Sequence, residues 1–289
     1  MLFVFLLAFS SAEAQKIVGK VTEKTSNQGL SFVQIGVKGK SIGVLSNAMG
    51  NFEFSNKQIS AGDSLVFNYL GYEPLVVAVE KVVNKKNLII PLQKTIYALP
   101  EISVSANAFN KLMTFGYKNT KAKRITTGWT STYDSTGHKV VGNSVGERGS
   151  LMKFKGRTVL LKNLHFHVAN SDYDSVLFRV HLYTVKDDLP DKEITPANIF
   201  VRTATKFGFV KVPLSSYQIV AEEDVIATIE WVKAWRPRSE GTFSLHFSIG
   251  LFGGLVWRDY RHQPNWQRSK TWHPGIYLDG LVATNKTKN

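Results

Sequence analysis

Apolar residues in this chain recur in short alternating runs that Gly, Pro, Asn or Asp break every few residues, and no segment sustains the 3.6-residue period of an amphipathic helix. Alternation at period two sends successive side chains to opposite faces of a strand, so each run is a half-buried strand that needs a second sheet to cover its apolar face. From Lys16 to about Leu92 the runs "IVGKVT", "SFVQIGVKG", "GVLSN", "GNFEFS", "DSLVFNYLGY", "PLVVAVE" and "NLIIPL" give about seven strands, the content of a small sandwich. From about Lys121 onward, "HKVVG", "SLMKFKG", "TVLLKNLHFHVAN", "SVLFRVHLYTV", "GFVKVPL", "QIVAEEDVIATIEWV", "GTFSLHFSIG", "GLVWRDY" and "GIYLDGLVAT" predict a second, larger sandwich of jelly-roll type. Short helices are expected only at 195–200 ("TPANIF") and 107–113 ("NAFNKLM"). The fold class is all-β, held by its cores, since the chain has no cysteine and 43% of its residues are hydrophobic.

The opening "MLFVFLLAFSSAEA" reads as a secretory signal peptide, residues 1–14, cleaved before Gln15. Two domains at 15–93 and 121–289 come after it, joined by a connector at 94–120. No later run approaches the roughly 20 apolar residues of a membrane helix, so the mature chain is expected in the periplasm, at the outer-membrane periphery or outside the cell. With 36 Lys and Arg against 22 Asp and Glu, its net charge of +14 favours a glycan or anionic envelope surface, or an envelope protein, as partner over nucleic acid.

Within the first domain, Gly19-Lys20-Val21, Gly29-Leu30 with Val33, Ile35 and Val37, Lys38-Gly39-Lys40, Gly43, Ser46 to Phe52 and Tyr69-Leu70-Gly71-Tyr72 stand in an order that resembles the carboxypeptidase regulatory-like domain. The resemblance covers about residues 16–93. It implies a transthyretin-like β-sandwich, common in exported Bacteroidetes proteins as an accessory module without catalytic residues. Asn47 stands where the family's turn generally has Asp, and Gly29 where Pro is common; both suit a turn. The stretch 92–111 resembles the connector to a receptor plug, with "EISVSA" as an added edge strand, but about 180 remaining residues are too few for plug and barrel. The second domain more weakly resembles jelly-roll-like regions that come after this module in Bacteroidetes envelope proteins, which implies no mechanism.

Several motifs test for chemistry. A zinc peptidase needs a His and a Glu three residues apart plus a distant His, and none of the seven histidines has Glu at that distance; no metal or other cofactor is expected. Gly142 to Gly146 spells the G-x-S-x-G nucleophile elbow around Ser144, yet residues 147–155 alternate as a strand where the elbow needs a helix, so Ser144 reads as a turn residue. No glycine-rich phosphate loop precedes a helix, against nucleotides. Asp172, Asp174, Glu222, Glu223 and Asp224 lie in turn-like segments and read as solvated. In "LHFHV" and "LFRVHLY", Leu164, Phe166 and Val168 share one face and leave His165 and His167 on the other, while Arg179, His181 and Tyr183 share a face of the next strand. If "ANSDYDS" makes a hairpin, the five side chains form one polar patch, a ligand site or an ordinary solvated sheet face. Trp231 reads as core. Trp235, Trp266 and Trp272, interleaved with arginines, are candidate platforms for sugar rings, and "YRHQPNWQRSKTWHPG" reads as a long closing loop. The expectation is an exported binding or structural module of the cell envelope with no catalytic residues; the alternative is a glycan- or ester-hydrolysing enzyme on the second sandwich.

Overall fold

The structure, a computed structural model, describes residues 15–56, 58–95, 109–118, 126–137, 139–142, 146–259 and 265–283. The signal segment, the "EISVSA" strand and Ser144 lie outside the described residues. The chain divides into two compact units between Lys94 and Thr95, and it is all-β, as the alternation predicts.

The first unit has seven strands among its described residues: β1 (Gln15–Glu23), β2 (Gln34–Val37), β3 (Gly43–Leu45), β4 (Asn51–Asn56), β5 (Ser64–Asn68), β6 (Leu75–Ala78) and β7 (Leu88–Leu92). They form a three-stranded sheet, β4-β1-β7, and a four-stranded sheet, β3-β2-β5-β6. Phe52 and Phe54 are buried while Asn51, Glu53 and Ser55 are exposed. Phe52 meets Phe67 of the other sheet edge-on at 5.7 Å, which closes the sandwich around Ile17, Val21, Ile35 and Leu65.

The turn before β4 depends on two residues. Asn47 Oδ1 accepts from the amides of Met49 at 2.9 Å and Asn51 at 3.0 Å, which does the work of the Asp usual in this turn. Gly50 has φ +85°, and a Cβ there would lie 2.5 Å from the Val21 carbonyl oxygen. Gly50→Ala is therefore expected to destabilise the first unit by more than about 1 kcal/mol, read as a lower urea midpoint for its transition in the full chain; an unchanged midpoint would contradict this account of the turn.

The second unit continues with β8 (Phe109–Gly116), β9 (Thr126–Tyr133), β10 (Lys139–Gly142), β11 (Gly146–Met152), β12 (Val159–Ser171), β13 (Ser175–Lys186), β14 (Leu189–Glu193) and β15 (Ile199–Thr203). Then come β16 (Gly208–Pro213), β17 (Val220–Ala221), β18 (Val225–Trp235), β19 (Gly241–Leu251), β20 (Leu255–Arg258), β21 (Gln267–Ser269), β22 (Trp272–Pro274) and β23 (Ile276–Ala283). A nine-stranded sheet has the order β10-β9-β19-β12-β23-β8, with β16 and β17 also on β12 and β22 on β19. A seven-stranded sheet has the order β14-β13-β18-β11-β20-β21, with β15 on β13. Their inner faces interlock as aromatic pairs: Phe166 on Phe178 at 5.1 Å and Trp129 on Trp231 at 5.3 Å. Trp231 is core, as its apolar run predicts.

Four expectations change. Residues 109–116, within the expected connector and overlapping the helix at 107–113, are a strand paired with β23. No helix forms at 195–200: the Leu182 amide donates to Thr195 Oγ1 at 2.8 Å, holding a short loop that leads into β15. In the closing segment, β21 and β22 form strands of three residues, too short to show a period. Most consequentially, β12 and β13 are not a hairpin. The chain between them crosses from one sheet to the other, with Tyr173 fully buried in the crossing, its hydroxyl donating to the Phe243 carbonyl at 3.3 Å and its ring edge-on to Trp231 at 5.0 Å. Asp172 fixes the arch by accepting from the Ser244 amide at 2.8 Å. Burying a whole tyrosine between the sheets outweighs the pairing of two neighbouring strands.

Candidate functional site

The arch separates residues expected to meet. Leu164, Phe166 and Val168 of β12 enter the core, so His165 and His167 stand on the outer face of the nine-stranded sheet. Phe178, Val180 and Leu182 of β13 enter the same core from the opposite side, so Arg179, His181 and Tyr183 stand on the outer face of the seven-stranded sheet. The core lies between the two sets, and the five-residue patch does not form.

On the seven-stranded sheet the register aligns Arg179 with Glu230, Glu230 with Glu147 and Glu147 with Arg258, a row of four charges across four strands. Arg179, Glu230, Glu147 and His181 are fully buried, so this face is not solvated. Arg179 grips Glu230 with two donors, Nε to Oε2 at 2.7 Å and Nη2 to Oε1 at 3.2 Å, and gives Nη1 to Asn198 at 3.0 Å. Arg258 Nη2 donates to Glu147 Oε1 and to the Tyr183 hydroxyl, both at 3.0 Å, and Tyr183 donates to Glu147 Oε2 at 3.1 Å. His181 bridges the acids, with Nδ1 2.6 Å from Glu193 Oε1 and Nε2 2.9 Å from Glu230 Oε2. Both ring nitrogens face acceptor-only oxygens when those acids are ionised, so both donate and the ring carries a charge. Burial by itself would raise the Glu230 carboxyl; the Arg179 charge and the bond from His181 outweigh it and bring it down to about 2.

Oxygen and nitrogen atoms of Glu147, His181 and Glu230 lie within 4.8 Å of one another, a donor set that suits a divalent metal. Here Arg179 and Arg258 already supply positive charge to both carboxylates. The arrangement is a closed ion network. Its signal in the sequence is a lone acid inside an apolar strand, Glu230 in "VIATIEWV" and Glu147 in the first strand after the elbow-like turn, since a buried charge demands a partner.

On the nine-stranded sheet, His165 stacks on Tyr277 at 4.3 Å, and its Nε2 lies 2.9 Å from Asp279 Oδ2, an ion pair only when the ring is protonated. Burial, opposed by Asp279, pushes the His165 imidazole below its ordinary value, and burial does the same to His167. His167 Nδ1 is 2.8 Å from Ser248 Oγ, and its ring meets the edges of Phe207 and Phe209 at 5.0 and 4.8 Å. Phe207 is 64% exposed and Phe209 40%. Lys211 is the cross-strand neighbour of His165, and Lys118 Nζ lies 4.8 Å over the Tyr277 ring. Phe209 does not stand out in the sequence because β16 carries apolar residues on both faces, Phe209 outward and Val210 and Val212 inward, and only the sheet says which is which.

The platform tryptophans are half-buried and scattered. Trp235 has Arg202 over its ring at 4.0 Å, Trp266 covers Arg258 at 4.2 Å and touches Tyr183 edge-on, and Trp272 pairs with Leu251. Trp266 thus joins Arg179, His181 and Tyr183, while Trp235 and Trp272 stand elsewhere. The expected turn acids behave as such: Asp172, Asp174, Glu222 and Glu223 are exposed, and Asp224 accepts from the Phe154 amide at 2.6 Å.

Residues 17–104 match the family of the CarboxypepD_reg-like domain, and the chain carries that domain. No curated protein matches the sequence. Among solved structures, the cysteine protease and lectin-like domains of Cwp84, a surface layer associated protein of Clostridium difficile, align over 95% of this chain at 8% identity with a TM-score of 0.32. This chain spans 64% of the length of that one.

Proposed function

We propose, on the premise that residues 17–104 are a CarboxypepD_reg-like domain, that the protein is an exported, non-catalytic binding module of the cell envelope whose second sandwich holds an acidic glycan on the outer face of the nine-stranded sheet. The carrying observation is the pair Phe207 and Phe209, exposed on a face that also presents Lys118 and Lys211. Exposed rings stack on the apolar faces of sugars, and two lysines at their margin pair with carboxylate or phosphate groups. The net charge of +14 draws such a polymer in.

The hydrolase alternative has its geometric counterpart in Glu147 and Glu230. Both carboxyls are fully buried and held by Arg179 and Arg258, so neither is open to a glycosidic bond. For ester hydrolysis, Ser248 is mid-strand and 3% exposed beside His167, so its hydroxyl is screened from a substrate.

The test is a glycan-array and lipopolysaccharide screen on the mature protein. Phe209→Ala is expected to lower affinity for acidic glycans on the order of tenfold, the worth of one stacked ring, while Trp235→Ala leaves it unchanged. Absence of binding throughout, equal binding by Phe209→Ala, or turnover of a bound glycan would each overturn the reading.

A further inference from the structure

β19 ends at Leu251 and is joined to β20 by Phe252 to Gly254, and this tip holds two large apolar side chains in solvent: Leu251 is 49% exposed and Phe252 87%, the most exposed large hydrophobic among the described residues. The tip is firmly held. The Phe252 amide donates to the Thr271 carbonyl at 2.8 Å. Behind it Gly253 packs so closely that a Cβ would lie 2.4 Å from His273 Cβ and 2.8 Å from the Tyr117 hydroxyl, and the His273 and Tyr117 rings stack at 3.6 Å. Leu251 is paired with the half-buried Trp272, and the exposed Lys270 sits in the adjoining turn.

Phe252 has φ +67°, a left-handed conformation that costs any residue bearing a Cβ. The position therefore combines an apolar ring in water with a strained backbone, and strain held by packed surroundings points to use. A leucine and a phenylalanine on the short loop that carries the chain from one sheet to the other, a tryptophan one step behind and a lysine beside it make the composition of a membrane-interface anchor: apolar tips for the acyl boundary, an indole for the interface, a cation for the headgroups.

We infer that the Leu251-Phe252 tip is a membrane-contact loop that inserts into an anionic lipid surface. Two side chains give shallow, reversible attachment, with insertion and headgroup attraction both needed. The inference rests on Leu251 and Phe252 and not on Phe207 and Phe209.

Flotation of the full chain with vesicles of phosphatidylglycerol in phosphatidylethanolamine, against neutral phosphatidylcholine vesicles, tests the inference. The wild type is expected to bind the anionic vesicles. Phe252→Gly should weaken that binding on the order of tenfold, and Lys270→Glu about fivefold with a reduced dependence on salt. Glycine takes the left-handed conformation at no steric cost, so Phe252→Gly should unfold at the same or a higher urea concentration and keep any glycan binding, which separates lost insertion from lost folding. The inference is overturned if the wild type ignores anionic vesicles, if Phe252→Gly binds them as the wild type does, or if the variant loses only a protein partner.

Discussion

Arg179→Met is expected to cost the second sandwich about 3–5 kcal/mol, because it leaves Glu230 ionised, buried and without its main counter-charge. Both side chains are fully buried and joined by two hydrogen bonds. Methionine fills much of the arginine's volume, so little of the loss comes from packing. The double variant Arg179→Met with Glu230→Met should recover a large part of it, since a buried ion pair exchanged whole for apolar residues is often neutral. Urea denaturation of the four proteins of this cycle gives the coupling directly; single and double variants equally unstable would show that the row across β13, β18, β11 and β20 does not act as paired charges.

The second large effect is a loss of stability in acid. The Glu230 carboxyl lies at about 2 in the fold against an ordinary 4.5, so the folded state favours its ionised form. For a depressed acid, the stabilisation is complete above the unfolded value and is lost as pH falls through the folded one; the window is therefore pH 4.5 down to about 2. Arg179, Arg258 and His181 face the network from the basic side, and Glu147 and Glu193 share it as acids. Asp63 of the first unit is also lowered, by its hydrogen bond from Lys40, but it lies near the surface, where such a pair is worth little. Glu230→Gln should be less stable than the wild type at neutral pH and have a flatter acid limb. Parallel acid limbs would assign the loss to other groups.

Much of the fold can be read from alternation. Phe52 and Phe54 must face inward once Asn51, Glu53 and Ser55 lie between them, and the Asn47 and Gly50 turn comes from residue chemistry. The candidate sites are legible in part. His165 and His167 belong on the face opposite Leu164, Phe166 and Val168 in any strand, yet their partners Tyr277, Phe209 and Lys211 lie on two other strands. The polar face of β13 is visible as Arg179, His181 and Tyr183, but its acids come from β11 and β18, for which strand alternation offers no register.

The sequence by itself determined the all-β class and the inner and outer faces of strands such as β4 and β12, because a period of two is a local property of the backbone. The tertiary structure alone decided that β12 and β13 lie in different sheets, that Arg179, His181 and Tyr183 are buried in an ion network, and that Phe252 projects into solvent. The physical reason is that burial and pairing depend on segments far apart in the chain: Tyr173 turns the chain by filling the space against Trp231 and Phe243, and an apolar residue on a connecting loop reveals its exposure only when nothing folds over it.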